Sequence, residues 1–481
     1  ISGAHSNQDM GILSTTFAEG QAGSVTVKAG ALRIDGAGSE HFTGITSGSY
    51  PQSTGNAGTV SVAVSGLLEL LGGGQIDSST YSSGNAGQVD VTAGMLHISG
   101  AGSSQDMGIL SATKAEGHAG PVTVKAGALR IDGAGSGDFT GITSGTYPQS
   151  TGNAGTVNVE VTGVLELLGG AQIDSSAYSS GNAGEVLVKA GELRIDHVQD
   201  APFETGISSR TQSSGNANRV TIDVRGLLDI ANGGKIDSTT FAAGNADVVT
   251  IHAGTARLLN GSSIESQARR RSTGQAGAVN LHVDGLLDLR DGSEVFTDTW
   301  GTGNAGTVTV TAGNLRLDNA RLASQANTGS TGEAGDVSVT VDNLLELLHG
   351  GVISTSTWAR GQAGDIVITA GNASLNGGGT GNPLTTIYSD AYAGSSGDAG
   401  TVTMQIAGLL EARHGAIIST NAWSVGNAGD VEIQADRLRL VGAGILSAAN
   451  PGASGQVGKV TVRAANVSLN EGAQISIAAN H

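Results

Sequence analysis

Acidic side chains recur at one place in this sequence and could bind a cation. Asp77, Asp174 and Asp237 stand at equivalent positions of repeated segments, and carboxylate oxygens are the ligands that Ca²⁺ prefers. The Gly-Gly-x-Gly-x-Asp pattern of calcium-binding repeats is missing, so we interpret these residues as a solvated acidic face. The ten histidines are dispersed, and none stands with a carboxylate at metal-ligand spacing. We predict no metal site.

Motifs for catalysis or cofactor binding are equally scarce. Residues 301–306 read Gly-Thr-Gly-Asn-Ala-Gly and match GxGxxG, but a strand pattern follows them where a dinucleotide site needs a helix. The chain has no GxSxG, HExxH or CxxC motif and no cysteine. We predict no catalytic residues and no cofactor.

Aromatic side chains are better placed to bind a ligand. Ten of the fifteen aromatic residues occupy one corner position of a repeating unit. Their rings either plug that corner or form a stripe that stacks on sugar rings or on a neighbouring chain. The candidate contact stripe comprises Tyr81, Tyr178, Phe241, Trp300, Trp358, Tyr392 and Trp423.

Five insertions mark a second candidate surface. They fall at about 35–44, 99–108, 132–141, 196–206 and 376–386, all at an equivalent corner of the repeat. Each carries an apolar residue that either folds back to cover the corner or forms a binding rim. The candidate rim comprises Phe42, Met107, Phe139, Phe203 and Leu384.

A repeat that runs through the whole chain must position these residues. A turn of the type Gly-Asn-Ala-Gly recurs fifteen times, and eight of the fourteen spacings are 29 residues. Within residues 55–83, aliphatic and polar residues alternate in three short segments between glycine turns, as in β-strands. The pattern predicts an all-β solenoid, a parallel β-helix of about 15–16 three-strand coils with about 29 residues each.

The copies are similar enough to predict one continuous stack. Residues 7–97 recur almost unchanged as 104–194, and no linker interrupts the pattern. We therefore predict a single solenoid domain over 1–481. Basic and acidic residues alternate between coils at one outward position, and this alternation favours a single register of pairing between coils. Among these residues are Arg33, Glu69, Arg130, Glu166, Arg194 and Asp229. Side-chain amides at the second turn residue should hydrogen-bond to one another along the stack.

Charge and composition exclude several partners. The net charge is −18, which disfavours nucleic acid and anionic membranes. No apolar run approaches the roughly 18 residues of a membrane span, so we predict no membrane insertion. The first residues, 1–4, match 98–101 inside a repeat. We expect a segment of a longer protein or a processed subunit, with strand edges at both ends that favour end-to-end association.

The repeating unit GNAG-x-V-x-V-x-A-G-x-L-x-L, followed by G-x-I-x-S-S-T, resembles the shaft of the filamentous haemagglutinin family. These are large exoproteins of two-partner secretion systems in Gram-negative bacteria. The resemblance covers essentially all of 1–481. It implies a right-handed β-helix, an extracellular or cell-surface location and an adhesive or fibrous function without catalysis. The family's N-terminal secretion domain with its Asn-Pro-Asn motifs is absent, and 382–384 is no substitute.

These observations predict a non-catalytic, secreted, adhesive shaft or a subunit of an extracellular fibre. Its expected partners are further copies of itself, end to end or side by side, and host or matrix glycans. The alternative is a β-helix that binds or degrades polysaccharide. A degrading enzyme needs a single cluster of acidic and basic residues, and the near-perfect duplication would make such a cluster twice or not at all.

Overall fold

The computed structural model describes residues 1–4, 6–51, 53–378, 384–451 and 453–479. Its regular structure is β-strand throughout, stacked as a β-solenoid of about 15 coils with roughly 30 residues per coil. The predicted β-helix is therefore confirmed. Residues 1–250 and 251–481 form two compact units; that 1–481 is a single solenoid domain stays a prediction. No helix among the described residues has the length and apolar character of a membrane span.

Two kinds of strand alternate along the chain in the first unit after its first coil. The strands are β1 (Met10–Thr16), β2 (Val25–Ala29), β3 (Leu32–Asp35), β4 (Thr43–Ser49), β5 (Val60–Leu71), β6 (Gly74–Asp77), β7 (Val89–Ser99), β8 (Met107–Thr113), β9 (Val122–Asp132), β10 (Thr140–Thr146), β11 (Val157–Leu168), β12 (Ala171–Ala177), β13 (Val186–Asp196), β14 (Gly206–Thr211), β15 (Val220–Ala231) and β16 (Lys235–Thr240). Short strands pair with the short strand of the next coil in the order β1-β4-β6-β8-β10-β12-β14-β16, and the long strands form the order β2-β5-β7-β9-β11-β13-β15, with β3 also paired to β5. All of these pairs are parallel.

The second unit repeats this arrangement. Its short strands are the even-numbered and its long strands the odd-numbered members of β17 to β32, and β17 contains the boundary between the units. The strands are β17 (Val249–Leu259), β18 (Ser263–Ala268), β19 (Val279–Arg290), β20 (Glu294–Thr299), β21 (Val308–Asp318), β22 (Arg321–Ala326), β23 (Val337–Leu348), β24 (Val352–Thr357), β25 (Ile366–Asn376), β26 (Thr386–Ala391), β27 (Val402–Arg413), β28 (Ile417–Ala422), β29 (Val431–Val441), β30 (Gly444–Ala449), β31 (Val460–Asn470) and β32 (Gln474–Ala479).

The core is a column of aliphatic side chains that face inward from both kinds of strand. In residues 55–83 the alternation of aliphatic and polar residues predicts which side chains point inward, and these are at most 1% exposed: Val60, Val62, Leu68, Leu70 and Ile76. Parallel pairing places Val60 on Val89 and Ile76 on Ile109, so like residues stack on like from coil to coil. Burial of these side chains supplies most of the driving force for stacking.

The coil has fewer separate strands than the sequence predicts. Three short segments in residues 55–83 predict a break at Gly66, but the chain continues through it as one strand, β5, whose register shifts between Val64 and Leu67. Gly66 stays hydrogen-bonded, because its N–H donates to Gly30 O at 2.8 Å. The two predicted strands are separate only in the first coil, as β2 and β3. Elsewhere a bulge makes the bend without ending the ladder.

Buried serines fasten the short strands to the glycine turns. Ser144 Oγ donates to Gly120 O at 2.7 Å and accepts a hydrogen bond from Gly155 N at 2.9 Å. The same pair of bonds recurs at Ser47, Ser78, Ser111 and Ser175. A hydroxyl with both partners satisfied is tolerated in the interior, and here it holds the turn at a fixed distance from the sheet.

The predicted ladder of side-chain amides is wrong in its chemistry. Asn56 Oδ1 accepts a hydrogen bond from the backbone N–H of Asn85 at 2.8 Å, and Asn85 Oδ1 accepts one from His118 N at the same distance. At the next step His118 Nδ1 accepts from Asn153 N at 2.9 Å. The side chain of each coil therefore satisfies a backbone donor of the next coil, and side-chain amides do not bond to one another here.

The alternation of charge between coils is confirmed. Arg194 pairs in register with Glu166 on one side and Asp229 on the other. Arg130 Nη1 lies 3.1 Å from Glu166 Oε2. Four arginines of the column also reach an aspartate two residues further along their own strand; these pairs are Arg33–Asp35, Arg130–Asp132, Arg194–Asp196 and Arg316–Asp318. In this column His97 lies between Glu69 and Arg130.

Reversing one charge in this column should destabilise the fold in a salt-dependent way. We expect Glu166→Lys, which places a cation between Arg130 and Arg194, to lower stability by about 1 kcal/mol at low ionic strength. The loss should shrink in 1 M salt, where the Debye length is about 3 Å. The thermal midpoint at both salt concentrations measures this. Glu166→Gln is the matched control and should lose less, whereas a salt-independent loss would contradict the electrostatic account.

Candidate functional site

The first unit has a groove along the outer face of its short strands. Two adjoining hollows, of about 200 Å³ and 450 Å³, share Asp106, Ala112 and Tyr147 in their walls. The outward residues of the short strands form the floor. One wall is built from the insertion loops, and the other from the aromatic corner, which is the position directly after each short strand. We call this surface the groove.

An aspartate ties the two walls together in each hollow. Asp9 accepts hydrogen bonds from the backbone N–H of Phe42 at 3.2 Å and from Tyr50 Oη at 3.1 Å. Burial and the nearby Asp9 raise the pKa of Tyr50 to about 12, so the phenol remains a donor at neutral pH. The carboxylate thus holds an insertion loop against an aromatic ring.

The same clamp appears a second time three coils later. Asp106 accepts hydrogen bonds from Phe139 N at 3.1 Å and from Tyr147 Oη at 2.5 Å. Burial, with Asp106 beside it, also raises the pKa of Tyr147. The duplication of residues 7–97 has therefore produced two copies of one site.

The walls of the two hollows correspond residue by residue. Nine residues of the first hollow recur in the second at a displacement of 97, with one exchange of serine for threonine. The pairs are Phe42/Phe139, Thr46/Thr143, Gly48/Gly145, Ser49/Thr146, Tyr50/Tyr147, Gln75/Gln172, Asp77/Asp174, Ser79/Ser176 and Tyr81/Tyr178. Two equivalent subsites in a row suit a ligand that is itself a repeating chain.

The acidic residues on the floor are held by neighbouring hydroxyl groups. Asp77 accepts hydrogen bonds from Thr46 Oγ1 at 3.1 Å and from the hydroxyl of Ser79. Asp174 accepts from Ser176 Oγ at 2.5 Å and Ser208 Oγ at 2.9 Å. Burial raises the pKa of both carboxyls, although these hydrogen bonds oppose it.

The prediction of a solvated acidic face is therefore wrong. Asp174 and Asp237 are 6% and 1% exposed, and Asp77 is partly buried. Their oxygens are engaged by side chains of their own and neighbouring coils, because the insertion loops cover this face. A carboxylate that already accepts such bonds presents less negative charge to a ligand than a solvated one.

A network of charges closes the far side of the second hollow. Arg210 donates from Nε to Asp237 Oδ1 at 2.7 Å and from Nη2 to Glu204 Oε2 at 2.6 Å. Lys235 Nζ donates to Glu204 Oε1 at 2.7 Å. Burial would raise the pKa of Glu204, but Arg210 and Lys235 outweigh it and lower that pKa to about 2. Two cationic and two anionic side chains are paired at this end of the groove, so their charges nearly cancel.

The aromatic corner of the first unit is a row of rings that one lysine interrupts. Phe17 stacks on Tyr50 with centroids 4.5 Å apart, and Tyr50 on Tyr81 at 6.2 Å. Lys114 Nζ lies 4.5 Å from the Tyr81 ring and 4.4 Å from the Tyr147 ring, so a cation fills the place of one aromatic residue. Tyr81 and Tyr178 are 43% and 45% exposed, and both expose ring surface in the groove.

In the second unit the aromatic residues occupy the same corner. The backbone N–H of each residue donates to the carbonyl of the last residue of the short strand in the preceding coil. The residues with this bond are Trp300, Trp358, Tyr392 and Trp423. Trp358 stacks on Tyr392 with centroids 3.7 Å apart, and Trp300 carries the Arg270 guanidinium over its ring at 4.9 Å. The predicted placement at one corner is confirmed for the whole candidate stripe, including Phe241 of the first unit; its role in contacts stays a prediction.

The structure places the five residues of the candidate rim in different environments. Phe42, Phe139 and Phe203 line the groove, and Leu384 is 61% exposed in the second unit. Met107 is wrongly assigned, because it is the first residue of β8, pairs with Thr140 and has no exposed surface. Of the insertion at 376–386, residues 379–383 lie outside the described part of the chain.

The prediction that no histidine lies with carboxylates is also wrong. In the second unit, His252, His282 and Asp284 bring three potential ligand atoms within 4.8 Å of one another. The signal was present in the sequence as a histidine at the same place in two successive coils, with an aspartate two residues after the second.

Sequence reasoning also missed Asp9, Asp106, Lys114, Glu204 and Arg210. Asp9 and Asp106 occupy equivalent positions in the two copies of the duplicated segment, and this repetition is a sequence signal for the clamp. The charges around Arg210 lie beyond the duplicated segment, and only the fold brings them to the second hollow.

Comparison with protein-family models, with curated proteins and with solved structures gave no significant match. The functional argument therefore starts from the fold and the geometry of the groove.

Proposed function

We propose that this chain is a non-catalytic, secreted adhesive β-solenoid that binds a polysaccharide chain in the groove of its first unit. The observation that carries the proposal is the duplicated subsite, in which exposed tyrosine rings face loop residues across a floor of hydroxyl, amide and carboxyl groups. Aromatic rings stack on the apolar faces of sugars, and polar side chains of this kind bind sugar hydroxyls. The resemblance to filamentous haemagglutinins supports the extracellular, adhesive part of the proposal.

The charges of the groove indicate the class of glycan. The first hollow is lined by Asp77, Asp106 and Lys114, and the second by Asp106, Asp174, Glu204 and Arg210. Because burial raises the pKa of Asp77 and Asp174, and Glu204 is paired with Arg210, the negative field that a ligand meets comes mainly from the net charge of the chain, −18. Polyanionic glycans would be repelled, so the proposed ligand is a neutral polysaccharide.

Removal of one exposed ring from each hollow should weaken binding. Tyr81→Ser together with Tyr178→Ser removes equivalent rings that make no side-chain hydrogen bond to the clamps. We expect affinity to fall about tenfold or more, a loss of about 1.4 kcal/mol. Affinity electrophoresis of the full chain in gels that contain mannan, xylan or β-glucan measures this, with pectin as the polyanionic comparison.

The matched control is Trp358→Ser together with Trp423→Ser. These rings are 39% and 42% exposed at the same corner, but they lie in the second unit, outside the groove. The control should retain glycan binding. Equal loss in both variants would assign binding to the aromatic stripe in general, and absence of retardation by every neutral polysaccharide would refute the groove as a glycan site.

Self-association into fibres is the second proposed function. It rests on exposed apolar surface in the second unit, where Trp423 and Val425 are 42% and 58% exposed. Exposed aromatic residues of this kind commonly bury themselves against a partner. Sedimentation of the two double variants separates the functions, because only the tryptophan variant should lose lateral association.

A further inference from the structure

Two imidazole rings and a carboxylate meet on the outer face of the second unit. His252 lies on β17 and His282 on β19, with ring centroids 5.1 Å apart and planes 27° from parallel. Asp284 follows His282 by two residues, so both side chains leave the same face of the strand. Its Oδ1 lies 3.2 Å from His282 Nε2 and 3.4 Å from His252 Nε2.

These separations fit a bound metal ion. Zn²⁺ binds histidine nitrogen and aspartate oxygen at about 2.0–2.2 Å, so two ligand atoms on a tetrahedron lie about 3.3 Å apart. The ligand atoms of the cluster all lie within 4.8 Å of one another, and no other group of three such residues is found in the described part of the chain. The side chains of His252, His282 and Asp284 are 48%, 53% and 61% exposed, so an ion can reach them from solvent.

We propose that His252, His282 and Asp284 form a binding site for a divalent transition-metal ion of the Zn²⁺ class. Two imidazole ligands select such ions over Ca²⁺ and Mg²⁺, which prefer oxygen ligands only. Three protein ligands leave one coordination position for water or for a group of another molecule. The ion would also join β17 to β19, so binding should stabilise the folded chain.

Isothermal titration of the full chain with Zn²⁺ tests the site, with protein purified without a polyhistidine tag. We expect one site per chain and a rise in the thermal midpoint. His252→Asn and His282→Asn should each weaken binding at least about tenfold, the equivalent of about 1.4 kcal/mol. Asp284→Asn should also weaken it, and Co²⁺ in place of Zn²⁺ should show the visible bands of tetrahedral coordination.

His349→Asn is the matched control. His349 Nδ1 lies 2.8 Å from Asp318 Oδ1, and His349 is 54% exposed, so it forms an exposed histidine–aspartate pair outside the group of three. Its replacement should leave Zn²⁺ affinity unchanged. Undiminished binding by a folded His252→Asn/His282→Asn variant, or no binding by the unaltered chain, would overturn the proposal.

Discussion

A single methyl group at Gly152 is expected to separate two neighbouring coils. Gly152 begins a Gly-Asn-Ala-Gly turn, and a Cβ atom there would lie far closer than 3.0 Å to the carbonyl of Gly117 in the coil below. Its φ is not in the left-handed region, so close approach of the two backbones is what requires glycine here. We expect Gly152→Ala to destabilise the fold by about 3 kcal/mol or more.

The neighbouring hydrogen bonds explain why the turn cannot move aside. Ala119 N donates to Asn153 O at 2.9 Å from below, and Ala154 N donates to Asn182 O at 2.8 Å above. Asn153 N donates to His118 Nδ1 at 2.9 Å. A shift that relieves the overlap would break these bonds and leave backbone groups unsatisfied.

The thermal midpoint and the rate of proteolysis measure the effect. Gly137→Ala is the matched control, because a Cβ atom at Gly137 has no neighbour within 4 Å and its φ is not in the left-handed region. This control should change stability by less than about 0.5 kcal/mol. Similar midpoints for the two variants would mean that the spacing between turns adjusts freely.

The second large effect is expected from a buried aspartate that titrates near neutral pH. Asp390 is 6% exposed, and its Oδ1 accepts a hydrogen bond from Asn421 N at 2.8 Å. Burial raises the pKa of Asp390 to about 7, against the hydrogen bonds from Asn421. Burial likewise raises the pKa of Asp298 to about 6.

The sign of the pH dependence follows from proton binding. An unfolded aspartate releases its proton near pH 3.9, whereas folded Asp390 keeps it up to about pH 7. Between these values the folded state binds one more proton, so stability falls as pH rises. The slope is about 1.4 kcal/mol per pH unit, and the chain should be more stable at pH 5 than at pH 8.

Asp390→Asn should remove much of this dependence. The amide replaces the protonated carboxyl without a charge, so at pH 8 we expect a gain of up to roughly 4 kcal/mol, and at pH 4 almost none. Thermal midpoints across this range measure it. Asp436→Asn is the control, because Asp436 is 57% exposed. A parallel pH profile for Asp390→Asn and the unaltered chain would contradict a titration at this residue.

The parts of the fold that depend on periodicity could be read from the sequence. Alternation placed Val60, Val62 and Ile76 inside, and the spacing of like charges placed Arg194 between Glu166 and Asp229. Both features repeat from coil to coil, because each strand pairs in register with the equivalent strand of the next coil. Local hydrogen bonding is harder to predict from the sequence. Gly66 suggests the end of a strand, but the strand continues through it with a bulge, and the Gly66 N–H stays bonded to Gly30 O.

The groove could be predicted only in part for a related reason. The aromatic corner follows from the period, whereas the clamp joins Asp9 to a backbone N–H at position 42 and to Tyr50. Such contacts depend on the path of an irregular loop, which has no period to reveal it. Met107 was misplaced in the same way, because the sequence does not show where the loop ends and β8 begins.

The charge column restricts how an array of this kind can lengthen by recombination. The duplicated segment recurs after 97 residues, a displacement of three coils that carries β5 onto β11 in the order of paired strands. An odd number of coils brings two basic positions together at the seam, and there the residue facing Arg130 is His97, whereas the equivalent position of the second copy carries Arg194. An even number of coils would preserve alternation at any seam. Gene duplications of two or four coils could therefore be accepted as they arise, whereas those of one or three require the exchange of an arginine at the junction.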